Sequence, residues 1–170
     1  TMNRKKPEPV QVIKTRRDAA LQTLVGSVPF IDFLGLKFDR RGDELTAIFP
    51  FDDRFIGNPV LPAIHGGATA AFLELTAVVG LAWSILWDAT ETGDFNIADM
   101  TAENLPRLPK TIDFTVDYLR TGLPRDAYAR ARITRSGRRY ASVQVEGWQD
   151  NRDRPFAQGI GHFLMPSSKA

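Results

Sequence analysis

NPVLPAIHGGATAAFLELTAVVGLAW, residues 58–83, opens with Pro59 and Pro62, passes a His-Gly-Gly triplet, and becomes a long apolar run holding one charge, Glu74. The prolines keep the chain out of helix until the glycines. From Gly66 to about residue 87 apolar positions fall on nearly every side: Ala71, Phe72, Leu73, Leu75, Val78, Val79, Leu81, Trp83, Ile85 and Leu86. A helix with that profile is buried on most of its faces. The rest of the fold has to cover it.

The flanks supply the cover. Upstream, Val12, Ile13, Ala20, Leu21, Leu24 and Val25 fit a short amphipathic helix ended by Gly26. Two extended pieces follow, residues 31–39 and 44–51, joined by Arg40-Arg41-Gly42-Asp43, a sequence suited to a tight hairpin. Residues 88–107 read as a polar, acidic loop, long enough to suggest a role of its own. After Lys110 the period becomes two. Ile112, Phe114, Val116 and Tyr118 alternate with Thr111, Asp113, Thr115 and Asp117. Ala127, Ala129, Ala131 and Ile133, then Ala141, Val143 and Val145, repeat the pattern, and a last segment covers residues 156–165. Four consecutive strands with short turns predict an antiparallel meander. The fold class expected is α+β: a curved antiparallel sheet of about six strands wrapped around one long central helix. One helical stripe then faces away from the sheet, and a partner subunit is expected to cover it.

At 170 residues the chain has the length of one domain. Its apolar and charged fractions, 43% and 25%, are those of an ordinary soluble protein. With no cysteine, disulfides and thiolate metal sites are excluded, which suits a cytoplasmic setting. Arg4, Lys5 and Lys6, with Pro7 and Pro9, read as a flexible basic tail over residues 1–12, ahead of a single domain at 13–170. No signal-peptide core follows them. Residues 68–87 are long enough to span a bilayer. A carboxylate inside the segment, Gly80, Ser84, two threonines and the lack of a basic anchor argue against a span.

Glu74 is the first candidate for chemistry. A carboxylate in an apolar setting either raises its pKa or finds partners, because burying the charge is costly. It serves as a general acid or base, or it lies on a solvated stripe; periodicity leaves both open. His65-Gly66-Gly67 is the second. Glycines at a helix start leave N–H groups free and let a ligand approach, so an oxyanion could be held there. The triplet is equally a soft helix start. Gly66 and Glu74 stand about 12 Å apart along a helix axis, too far to bond each other within one chain. The two histidines and scattered carboxylates lack metal-ligand spacing, and no Gly-x-Ser-x-Gly, P-loop or dinucleotide fingerprint is present.

His65-Gly66-Gly67 followed by Glu74, nine residues after the histidine, resembles the signature of the hot-dog-fold acyl-CoA thioesterases of the PaaI / 4-hydroxybenzoyl-CoA thioesterase group. The stretches TIDFTVDYLR (111–120), RSGRRYA (135–141) and AQGIGHF (157–163) are similar to that family's strand after the helix, basic hairpin and last strand. The resemblance covers roughly residues 30–165. It implies the sheet-around-helix fold and a homo-oligomeric, dimeric or tetrameric, thioester hydrolase acting on an acyl- or aryl-CoA. Glu74 would be nucleophile or general base, and the Gly66 amide would polarise the carbonyl. Asn58 would help hold water or the carbonyl, although it precedes His65 by seven residues rather than the family's six. Thr111 matches a hydroxyl supplied by a neighbouring subunit, and His65 would orient the loop. Tyr118, Arg120, Arg135, Gly137, Arg138 and Arg139 match segments that contact the CoA nucleotide and phosphates. No further cofactor and no metal is implied; CoA belongs to the substrate. FIGNPVLP (55–62) also resembles a segment of hot-dog β-hydroxyacyl-ACP dehydratases, but Arg54 stands where their catalytic histidine would be.

A different class of reading is a hot-dog module that binds acyl-CoA without hydrolysing it; an intact Glu74, His65 and Gly66 argue against it. Nucleic-acid binding rests on the basic clusters alone, with a net charge of only +2. The expected partners are therefore an acyl-CoA and further copies of the chain, not nucleic acid or membrane.

Overall fold

A computed structural model describes residues 6–167, so Arg4 and Lys5 of the expected tail lie outside the described residues. Helix α1, Val10–Gly26, begins inside the 1–12 stretch and buries Ala20, Leu21, Leu24 and Val25 on one side. The extended piece expected to start at Ile31 is a second helix, α2, Pro29–Leu34. Pro29 sits in its first turn, where a missing N–H is harmless. Ile31 and Leu34 share its buried side, and Gly35, at φ 71°, ends it in the left-handed conformation that favours glycine. The strand is thereby shortened to β1, Lys37–Arg41, which turns into β2, Glu44–Phe49.

A single 3-10 turn, Asp53–Phe55, leads into a ribbon of two short strands, β3 (Ile56–Asn58) and β4 (Ala63–Ile64). Helix α3 runs Gly66–Glu91, so the first four residues of the expected loop belong to it. The remainder of that loop holds a 3-10 turn, Ile97–Asp99, pinned by the buried side chain of Ile97. Four long strands complete the chain: β5 (Lys110–Tyr118), β6 (Ala127–Ser136), β7 (Tyr140–Trp148) and β8 (Ala157–Leu164). The main sheet is antiparallel throughout, in the order β1-β2-β6-β7-β8-β5. It is the six-stranded hot-dog sheet around one central helix, as expected.

The core lies between α3 and the inner sheet face. Phe72, Leu73, Val79, Leu81 and Leu86 of α3 are fully covered, against Ala129, Val143, Ala157 and Phe163. Each large side chain so buried contributes about 1.5–3 kcal/mol. By length and composition α3 could cross a membrane, but 67% of its most apolar window is buried inside the molecule. Part of the surface expected to need a partner is covered by the chain itself, because α1 and α2 pack on α3. Gly67, Ala71, Glu74 and Ile85 stay exposed or half-exposed on one stripe of the helix. Beside them runs β5, an edge strand nine residues long with Ile112 53% exposed.

Candidate active site

Glu74 lies two turns into α3, half-buried, and it has found a partner. The Thr111 hydroxyl donates to Glu74 Oε1 at 2.5 Å. This contact depends on an irregularity in β5. Strict alternation puts Ile112 on the helix side and Thr111 outside with Asp113. In the fold, Thr111 pairs with the buried Phe163 and Asp113 with His162, so two steps on β5 match one on β8. That is a bulge, and it inverts the faces before it. Ile112 turns out to solvent and Thr111 turns in. The expected alternation is thus corrected at its first two residues. Within the chain itself, the Thr111 hydroxyl reaches Glu74 directly.

At the start of α3, His65 is the N-cap, its Nδ1 accepting from the Gly67 N–H at 2.8 Å. A neutral ring accepting there carries its hydrogen at Nε2. The His65 backbone is held by Phe55, N–H to carbonyl at 2.7 Å, and Gly57 packs flush on it. A Cβ on Gly57 would lie 2.7 Å from the His65 Cα, so the close approach requires glycine. The Tyr118 hydroxyl donates to the Gly66 carbonyl at 2.7 Å and ties β5 to the helix start. The Gly66 and Ala68 amides have no hydrogen-bond partner among the described residues. They are the open donors of a helix N-terminus, where the macrodipole also favours negative charge.

The remaining expected residues fall in two places. The Asn58 carboxamide oxygen accepts from the Val60 and Leu61 amides at 3.1 and 3.2 Å, so it shapes the loop between β3 and β4. Arg120 is exposed at the Tyr118 end of the sheet. The hairpin Gly137–Arg139 is at the other end. Tyr118 pairs with Ala157 of β8, and Tyr140 with Leu164, seven residues or about 24 Å away. The hairpin is nearer Glu74: Thr111, Phe163, Ala141 and Ser136 form one row across four strands, about 14 Å wide. Within one chain, then, Tyr118 and Arg120 do not join Arg135, Arg138 and Arg139. A second bulge, between Ile133 and Arg135 in β6, places Arg135 opposite Ser142 on the outer face. His162, given no role by its sequence position, holds Asp113 at 2.7 Å on that same face, away from Glu74. Arg54 bonds the Phe33 carbonyl at 3.0 Å and takes no part in the Glu74 region.

Two features of the site had no sequence signal that periodicity could read: the bulge at Ile112 and the anchoring of Gly66 by Tyr118. An aromatic at a strand end is an ordinary residue, and a bulge leaves the spacing of residues unchanged.

Comparison with known proteins adds the following. The sequence model of the thioesterase superfamily matches residues 61–156. The medium/long-chain acyl-CoA thioesterase YigI of Escherichia coli (strain K12) is 29% identical over 126 residues, 74% of this chain and 78% of that protein. Among solved structures, a Chromobacterium violaceum protein superposes with a TM-score of 0.62 at 28% identity, covering 94% of this chain and 98% of its own. A Shewanella oneidensis protein related to the thioesterase superfamily gives 0.67 at 25% identity, covering 88% and 97%.

Proposed function

Since the chain belongs to the thioesterase superfamily and is a thioester hydrolase, we propose that its substrate is an acyl-CoA and that Glu74 is its catalytic carboxylate. The observation that carries the reading is the Thr111 hydroxyl, turned inward by a bulge onto the one carboxylate of α3's apolar core run. The E. coli relative, an enzyme of medium- and long-chain acyl-CoA, supports the substrate class.

In this reading Glu74, oriented by Thr111, takes a proton from a water molecule as that water attacks the thioester carbonyl. The oxyanion of the tetrahedral intermediate is held by a helix N-terminal amide, that of Gly66, with Tyr118 and His65 fixing the peptide that follows it, Gly66–Gly67. Collapse breaks the C–S bond. The CoA thiolate leaves, takes up a proton, and the acyl group departs as a carboxylic acid. Direct attack by Glu74 on the carbonyl, with water then hydrolysing the anhydride, uses the same residues.

Gly66 and Glu74 of one chain are about 12 Å apart along α3, so one carbonyl does not reach both. The complete site therefore pairs Gly66 of one copy with Glu74 of another. The open stripe of α3 and the unpaired β5 edge are where a second copy fits, since an exposed nine-residue edge invites pairing. In that assembly the arginines of the 137–139 hairpin face the CoA phosphates.

The test is turnover of short, medium, long and aryl CoA esters, followed by release of free thiol, with native protein and Glu74→Gln. Hydrolysis lost in the variant at unchanged secondary structure is expected. A native protein that binds these esters and leaves all of them intact would instead be a binding module.

A further inference from the structure

One cavity of the molecule lies away from Glu74. It has a volume of about 590 Å³ and lies between the second half of α3 and a split in the sheet. β2 and β6 pair only through Ala47–Phe49 and Ala127–Ala129. Beyond Ala129 the strands diverge, and Arg130 spans the mouth of the split by bonding Thr46 at 2.9 Å and Glu44 at 3.4 Å. Gly80, Trp83 and Ser84 form the floor, pointing about 180–280° round α3 from Glu74. The site of hydrolysis and this cavity are therefore on different sides of the helix.

Its chemistry is graded. Phe38, Leu45, Ala131 and Ile133 line the interior with Trp83 and Trp87, and Trp148 stands at the rim. Thr76 directs its hydroxyl to the Phe72 carbonyl, so Ser84 is the one interior hydroxyl without a partner among the described residues. A base or sugar would find too few convergent polar groups there, whereas an alkyl chain needs none. The charged groups stand at the rim. Arg130 is engaged with Glu44 and faces Glu146 across the strand pair, and Asp43 sits at the β1–β2 turn. Arg132 bonds the Gln144 side chain, and Arg152 lies over the Trp148 ring at 5.4 Å. Neither has a carboxylate within ion-pair distance among the described residues.

We propose that this cavity binds a fatty carboxylate, its unbranched chain in the split between β2 and β6 and its head group at Arg132 and Arg152. This goes beyond the reading of Glu74 and does not depend on it. A free fatty acid and the tail of an acyl-CoA share the chain but differ in the head group, and the rim arginines select the acid.

The chain has three tryptophans, and all three line the cavity, so its intrinsic fluorescence reports occupancy directly. The full chain is titrated with dodecanoate below its micellar concentration, with dodecanol, with butanoate, and with S-dodecyl-CoA, a thioether that cannot be hydrolysed. A saturable change with dodecanoate is expected, at least tenfold weaker for each of the other three ligands. Ser84→Phe, which fills the floor, and the surface pair Arg132→Glu/Arg152→Glu should each weaken dodecanoate at least tenfold. The surface pair keeps the test decisive if Ser84→Phe fails to fold. No saturable change, equal binding of dodecanol or of the thioether, or undiminished binding by a folded Ser84→Phe would overturn the proposal. The titration reads no turnover, so its failure and a failure of thioester hydrolysis are separate results.

Discussion

Strands β5 and β6 carry the same local device with opposite consequences. Each is interrupted by one extra residue near the hairpin end of the sheet, in β5 between Thr111 and Asp113 and in β6 between Ile133 and Arg135. In β5 the bulge turns a polar side chain inward, onto Glu74. In β6 it turns a charged one outward, beside Ser142. A bulge only inverts the phase; what it does chemically depends on which residue then faces the core. An inward hydroxyl meets a carboxylate that needs a donor, whereas an outward arginine stays solvated until a ligand or another chain arrives.

The contrast can be broken in a definite order. Glu74→Gln should have the largest effect, lowering kcat by about 10²–10⁴-fold, the range for a general base, while circular dichroism is unchanged. A smaller loss would mean that the inward cluster is structural. Next comes loss of the Thr111–Glu74 hydrogen bond in Thr111→Val. Losing a bond to a charged acceptor costs about 1.5–3 kcal/mol, or about 10–100-fold in kcat/KM. Deleting Ile112 removes the bulge but leaves Thr111 opposite Phe163 and still facing in, so kcat/KM should stay near native. A clear loss in the deletion would show that the bulge does something besides aim Thr111. On the outward strand, Arg135→Ala should raise KM for a CoA ester about fivefold, leave kcat unchanged, and matter less at high salt. If kcat falls instead, Arg135 is coupled to the reacting atoms and the two strands are less different than they look. His65→Ala should have the smallest effect, removing the N-cap of α3 at about 1 kcal/mol of stability in a denaturant melt.

Much of this was readable beforehand. The apolar profile of residues 66–87 identified the central helix because it had no polar face to give to solvent, and period-two alternation identified the four long strands. Residues 31–34 were misread as strand because a six-residue helix shows less than two turns of periodicity; only Pro29 and Gly35 mark its ends. The ribbon β3–β4 was invisible for a related reason, its strands being three and two residues long. At the site, Glu74 and Gly66 stood out as types and spacings. Thr111 entered only through a resemblance, and its partner in the same chain was not anticipated. Asn58 looked like a ligand group, yet its oxygen is held by the Val60 and Leu61 amides.

By itself the sequence determined what had to be buried and which groups were chemically able to act. Hydrophobic periodicity and residue type are properties of each segment, and they identify a core helix, its covering strands, a carboxylate and a free helix start. Tertiary structure alone decided the direction in which those groups point. A bulge exists only as a mismatch between two strands, so no single segment records it. For the same reason the split between β2 and β6, and the cavity within it, appear only once three elements are packed together.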